Sequence, residues 1–125
     1  MIEIARAMLK IAEELVESGR IEKSELKYRA AVNRAYYCVF LFARAKTGLE
    51  NEIHDVHGSV LSRLYPRFAR VRKTETFNSI SKLRKYREQA DYAFPTSEPE
   101  CQDWEKCATN AVIQAGFALN HLERL

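Results

Sequence analysis

Residues 30–43, AAVNRAYYCVFLFA, carry apolar side chains almost all the way round a helix. A helix without a polar face is buried on every side. In a chain of 125 residues, such a helix has to lie at the centre of a bundle or be covered by a second subunit. The stretch therefore predicts an all-α fold with this helix at its centre, and a homodimer is one way to cover it.

The rest of the chain also has helical spacing, interrupted by only 4 Gly and 3 Pro. The pattern predicts one domain over residues 1–125, a five-helix up-and-down bundle. Its helices are expected over residues 2–16, 24–46, 55–71, 76–92 and 97–125. Ser18-Gly19 is expected to end the first helix, and Ser24 and Thr47-Gly48 are expected to bound the second. Pro66 is expected to kink or split the third helix. The fifth helix is expected to open with Ser97-Glu98-Pro99-Glu100.

Two stripes predict how the outer helices pack. The first helix carries large apolar residues on one side, which we expect to face the core: Ile4, Met8, Ile11 and Leu15. The fifth helix carries a seam of mostly small residues, along which another helix can approach closely: Trp104, Ala108, Ala111, Ala115, Ala118 and Leu122.

Composition limits where the protein works. The longest unbroken apolar run, residues 35–43, is far shorter than the ~20 residues that span a bilayer. The N-terminus lacks the pattern of a signal peptide. The 3 cysteines are odd in number and lack metal-type pairing, which fits a reducing compartment better than a disulfide scaffold. We expect a soluble cytoplasmic protein without a membrane segment.

Charge is unevenly distributed, although the net charge is only +3. Residues 63–87 contain nine Lys or Arg and one acid, so this segment is +8 and the remainder is −5. Such a field suits a phosphate-rich ligand or an acidic partner. Two alternatives stay open. The segment can be a solvated basic face, or it can meet the acidic residues 88–105 within or between subunits.

Polar residues at two places are candidates for chemistry. Asn33 and Arg34 interrupt the apolar helix, and a buried guanidinium needs partners. Arg34 could instead extend to the surface or pair with a carboxylate such as Asp91. Arg84, Arg87 and Asp91 share one helical stripe, on which Arg87 and Asp91 can form an ion pair.

The histidines give little support for a metal site. His54 and His57 have the spacing of two ligands on one helix face, but no third ligand lies nearby in the sequence. The alternative for His57 is a buried hydrogen-bonding group near the start of a helix. We therefore expect neither a metal nor another cofactor.

Three stretches together resemble the small stand-alone HEPN proteins of bacteria and archaea, a name that stands for "higher eukaryotes and prokaryotes nucleotide-binding". They are RAYY-containing residues 29–40 (RAAVNRAYYCVF), residues 57–60 (HGSV) and residues 83–92 (LRKYREQADY). The resemblance implies a helical bundle that usually dimerises around the motif helices. It also implies RNA chemistry: many members are metal-independent ribonucleases, often toxins paired with a minimal nucleotidyltransferase antitoxin.

The family's active site joins an arginine and a histidine a few residues further on, and here the sequence departs from the pattern. Tyr92 stands where the histidine after Arg87 is expected. A tyrosine is a poor general base at neutral pH because its ordinary pKa is about 10. The resemblance then leaves His57, on another helix, as the candidate imidazole.

Three hypotheses follow for function. The first is a nucleotide- or RNA-binding module with a degenerate catalytic motif, paired with a nucleotidyltransferase in a toxin–antitoxin-like system. Its expected binding residues are Asn33, Arg34, Tyr37, Arg84 and Asp91. The second is an active metal-independent endoribonuclease, in which Arg87, Tyr92 and His57 are catalytic. The third is a structural dimer without a ligand.

Overall fold

The computed structural model of the chain describes residues 1–49, 56–70, 74–92 and 103–125, and this part contains helices and no strand. The helices are α1 (Ile2–Glu22), α2 (Glu25–Lys46), α3 (Val56–Arg70), α4 (Thr74–Tyr92) and α5 (Trp104–Glu123). The prediction of an all-α, five-helix bundle is confirmed.

α2 lies at the centre, because each of the other four helices packs against it. Its buried residues cover somewhat more than half of the helix circumference: Tyr28, Ala31, Val32, Ala35, Tyr36, Cys38, Val39, Phe40, Phe42 and Ala43. The opposite side, with Ala30, Asn33, Tyr37 and Leu41 half-buried and Arg34 exposed, stays partly open to solvent. One chain therefore buries most, but not all, of the apolar surface of this helix. The homodimer stays a prediction.

The boundaries of α2 are those expected from local signals. The Ser24 hydroxyl accepts a hydrogen bond from the Lys27 N–H at 3.3 Å, which satisfies a donor of the first turn. After Thr47 the chain leaves the helix through Gly48, whose φ of +72° favours glycine. Both predictions are confirmed.

The buried face of α1 differs from the predicted one. Of the predicted stripe, Met8 and Leu15 are half-buried against the core, whereas Ile4 and Ile11 are 59% and 48% exposed. The fully buried residues belong to a neighbouring stripe: Ala5, Leu9, Ala12, Val16 and Gly19. The two stripes have the same helical period and lie side by side. The small residues of the second stripe let α2 and α5 approach closely, so the larger side chains are left at the edge of the contact.

α1 also continues past Ser18-Gly19, where the sequence predicted its end, and stops at Lys23, a residue in left-handed conformation with φ of 53°. Gly19 is buried inside the helix. A Cβ atom there would lie 2.8 Å from Cε1 of Tyr28 on α2. Glycine at this position therefore allows close helix packing and does not end the helix.

α3 is continuous through Pro66, so the predicted split is wrong. Proline leaves the carbonyl of residue 62, one turn earlier, without its helical partner. Ser62 and Pro66 are both exposed, so water can solvate that carbonyl.

α5 presents the predicted seam, with Ala108, Ala111, Ala115 and Ala118 all buried. The helix begins at Trp104, and the Asp103 side chain caps it by accepting from the Lys106 N–H at 3.2 Å. The predicted opening at residues 97–100 lies outside the described residues. Cys38 is free and buried, whereas Cys107 is disulfide-bonded, which the preference for a chain without a disulfide scaffold did not anticipate.

The contacts between helices place three helix segments together. The last turn of α4 lies against the first half of α2, since Asn33 contacts Asp91. The start of α3 packs against nearly the same part of α2, since Tyr36 contacts His57. Further along, Arg63 donates to the carbonyl of Thr47 at 3.0 Å, so α3 runs in the same direction as α2. At this one connection the bundle departs from the predicted up-and-down order. None of the described helices is long and apolar enough to cross a membrane.

Candidate functional site

Polar and aromatic residues of α2, α3 and α4 meet where these three helices converge. We call this group the Arg87 site, and it comprises Asn33, Arg34, Tyr36, Tyr37, His57, Arg84, Arg87 and Asp91. Most of these residues were candidates in the sequence, and the fold brings them to one end of the α2–α4 contact.

Arg87 is the most enclosed charge of the site, with its side chain only 10% exposed. Its guanidinium carbon lies 5.3 Å from the ring centre of Tyr36 and 5.7 Å from that of Tyr37, within the range of a cation–π contact. One Nη atom is 3.3 Å from a carboxylate oxygen of Asp91, whereas Nε is buried with no hydrogen-bond partner. The guanidinium is thus held in place by rings and one carboxylate, without all of its donors being used.

The surroundings of Arg87 favour its charged form. Burial by itself lowers the pKa of the guanidinium, but Tyr37, Asp91 and Tyr36 together outweigh this effect and raise the pKa overall. Arg87 is therefore a fixed positive charge in a largely dry position. A fixed cation of this kind is suited to binding an anion.

Asp91 is held from two sides. One carboxylate oxygen accepts a hydrogen bond from the Asn33 side-chain amide at 2.8 Å, and the other contacts Arg87. Arg34 donates to the Asn33 side-chain oxygen at 3.0 Å. The alternative that Arg34 pairs directly with Asp91 is therefore wrong, because Asn33 lies between them.

His57 faces the aromatic side chains of α2. Its ring stacks on Phe40 with ring centres 4.1 Å apart, and Nδ1 is hydrogen-bonded to the Tyr36 hydroxyl. Burial raises the pKa of Tyr36, so this hydroxyl keeps its proton at neutral pH. The half-buried His57 matches the hydrogen-bonding role that the sequence left open beside the catalytic one.

The remaining candidates lie at the edge of the site or outside the described part. Arg84 pairs with Glu88 at 3.5 Å and is 30% exposed. Tyr92 is the last residue of α4, and its side chain lies outside the described residues, as does His54. His121 is far away on α5, hydrogen-bonded to Thr76.

Part of the basic segment 63–87 has a structural role. Arg63 and Arg67 donate to the carbonyls of Thr47 and Lys46 at 3.0 and 2.9 Å. These carbonyls lie at the C-terminal end of α2, where a positive charge is favourable. Among the described side chains of the segment, Arg84 and Arg87 belong to the Arg87 site.

Sequence reasoning assigned Tyr36 only to the core, although it links Arg87 to His57. Its spacing of three from Asn33 on the same helix could have placed it on the polar face of α2. Within the described ranges, no group of three His, Cys, Asp or Glu side chains could hold a metal ion.

The comparison with protein families agrees with the motif resemblance. A family model described as HEPN domain matches residues 1–115. Comparison with curated proteins and with solved structures found no match. The chain belongs to the HEPN domain family.

Proposed function

We propose that this HEPN-domain chain is a binding module that holds RNA or a nucleotide at the Arg87 site. The observation that carries the proposal is the Arg87 guanidinium, which is nine-tenths buried, fixed on two tyrosine rings and left with an unpartnered Nε. A guanidinium held in this way is a fixed positive charge, which attracts a phosphate to the edge of the site. Family membership supports a nucleotide- or RNA-related role.

The charge of the site supports the same ligand class. Three guanidinium groups (Arg34, Arg84 and Arg87) face two carboxylates (Glu88 and Asp91), so the surface is net positive. Arg34 is exposed and stands one turn from the half-buried Tyr37. A cation beside an aromatic ring can bind a phosphate and stack a base.

The environment of His57 favours binding over cleavage. Its Nδ1 is engaged by the Tyr36 hydroxyl and its ring is stacked on Phe40, which restricts the freedom a general base needs. The carboxylate of Asp91 also neutralises part of the charge that a cleavage transition state would use.

A metal-independent ribonuclease is the second candidate. One observation favours it: Arg87 and His57 both contact the same side chain, Tyr36. An arginine and a histidine that close together could serve a phosphate and a ribose hydroxyl in one reaction.

The test is fluorescence anisotropy with a labelled short single-stranded RNA, for the wild type, Arg87→Lys, Arg87→Ala and Arg124→Ala. Arg124 is exposed at the end of α5 and serves as the charge-matched control. We expect both Arg87 variants to lose most of the affinity and the control to lose little. Circular dichroism verifies that each variant is folded. Unchanged affinity in folded Arg87→Ala would rule out the site.

A cleavage assay separates the two candidates. The same RNA is incubated with a chelator present and analysed on a denaturing gel, for the wild type and His57→Ala. We expect intact RNA in both reactions. Cleavage by the wild type that is lost in His57→Ala would establish the ribonuclease instead.

Partners form a further part of the proposal. The family resemblance supports a second copy of this chain and a nucleotidyltransferase antitoxin. Sedimentation velocity tests the first: a monomer at micromolar concentration would contradict the homodimer. Co-purification with a co-expressed nucleotidyltransferase tests the second.

A further inference from the structure

We infer that Asp91 makes the Arg87 site selective for ribose over deoxyribose. Arg87 would hold a phosphate, and Asp91 would accept a hydrogen bond from the sugar hydroxyl next to that phosphate. The inference rests on the proposed function and names the residue that determines its specificity.

A carboxylate is out of place in a site that binds only phosphate. The Asp91 oxygen lies 3.3 Å from the Arg87 guanidinium, so a phosphate on Arg87 would meet a second negative charge at close range. Asp91 also stands in the last turn of α4, where the helix dipole disfavours a negative charge. A ligand group that a carboxylate binds would account for its presence.

Asp91 is fixed and still accessible. Asn33 holds one oxygen at 2.8 Å and Arg87 contacts the other, while the side chain remains 31% exposed. A carboxylate has about four acceptor positions, so two bonds leave acceptor capacity toward solvent. Because the carboxylate is already oriented, a hydroxyl donor would bind it without ordering a free side chain.

The sugar of RNA provides the matching donor. Each 2′-hydroxyl lies beside the phosphate on the neighbouring 3′ oxygen, and it is the group by which proteins distinguish RNA from DNA. The phosphate would bind Arg87 and the neighbouring 2′-hydroxyl would donate to Asp91, so two adjacent groups of the ligand would contact two adjacent side chains. A DNA phosphate would be repelled by the Asp91 carboxylate in the same way, but DNA lacks the 2′-hydroxyl whose hydrogen bond would compensate.

The experiment compares three labelled single strands of one sequence: RNA, DNA and RNA with fluorine replacing the 2′-hydroxyl. Fluorine keeps the sugar geometry of RNA but cannot donate a hydrogen. Affinities are measured for the wild type, Asp91→Asn and Glu88→Gln. Glu88 lies on the same helix and pairs with Arg84, so its variant removes one charge and leaves the Asp91 acceptor intact.

We expect the wild type to bind RNA about tenfold more tightly than DNA or fluoro-RNA, as for a hydrogen bond to a charged group. Asp91→Asn should bind DNA more tightly, so that its affinities for RNA and DNA become nearly equal. Glu88→Gln should strengthen all three complexes and keep the wild-type ratio of RNA affinity to DNA affinity. Equal wild-type affinities, or a parallel gain in both variants, would overturn the inference while the binding proposal stands. Absence of binding to any strand would overturn both.

Discussion

The hydroxyl of Tyr36 is hydrogen-bonded to Nδ1 of His57, and this bond joins the centre of α2 to the first turn of α3. Tyr36→Phe keeps the ring and removes the hydroxyl, leaving the histidine nitrogen without this partner. We expect the free energy of unfolding to fall by about 1 kcal/mol. Urea unfolding measures the change, with Tyr65→Phe, at a 51% exposed tyrosine, as the control. Equal losses in the two variants would contradict this role.

Substitution by alanine should have opposite effects on stability at two helical glycines, Gly116 and Gly19. Alanine is favoured over glycine in a helix by about 1 kcal/mol. At Gly116 the nearest atom to a new Cβ is 3.8 Å away, so Gly116→Ala should stabilise the protein by about that amount. At Gly19 the methyl group would lie 2.8 Å from the Tyr28 ring, and the overlap should make Gly19→Ala destabilising by about 1 kcal/mol. Thermal unfolding of both variants checks the signs, and stabilisation by Gly19→Ala would refute the close packing.

Ionisation of the buried Cys38 thiol should lower the stability of the protein at alkaline pH. Burial raises the pKa of its thiol from 9.0 to about 12. Below pH 9 both the folded and unfolded states keep the proton, so this group has no effect there. Between pH 9 and about 12 only the unfolded state loses it, so stability falls as pH rises, by at most about 1.4 kcal/mol per pH unit.

The measurement is the free energy of unfolding at stepwise pH for the wild type and Cys38→Ala. The slope above pH 9 should be shallower in the variant. Part of it should remain, because burial also raises the pKa of Tyr36. Identical slopes would show that Cys38 titrates normally in the folded protein.

Pro66 should limit the stability of α3. An interior proline lacks the N–H that its helix would use, at a cost of about 3 kcal/mol relative to alanine. Part of this cost is offset because proline also restricts the unfolded chain. We therefore expect Pro66→Ala to stabilise the protein by about 1 kcal/mol. Ser62→Ala, at an exposed position one turn earlier, is the control, and an equal gain there would argue against the effect.

How far the sequence predicted the fold depended on the range of each signal. Ser24 and Gly48 act on their own neighbours in the chain, so the boundaries of α2 could be located. The buried face of α1 could not, because two adjacent stripes have the same period. The choice between them depends on how closely α2 approaches at Gly19, which is a tertiary property.

In the candidate site, too, contacts within one helix could be predicted from the sequence and contacts between helices could not. Arg87 and Asp91 are one helical turn apart, so their contact follows from the period of the helix. Asn33 lies 58 residues from Asp91, and their hydrogen bond depends on the packing of α4 against α2. No local pattern could indicate that Asn33, and not Arg34, contacts the carboxylate.

The central position of α2 has a consequence for how the protein opens. Every other helix covers one side of α2, so a helix that detaches exposes apolar surface of α2 to water. Local openings should therefore stay small, and the amide protons of α2 should exchange with solvent only when the whole bundle unfolds. α3, which packs only on α2 and α4 among the described helices, should be the first to exchange.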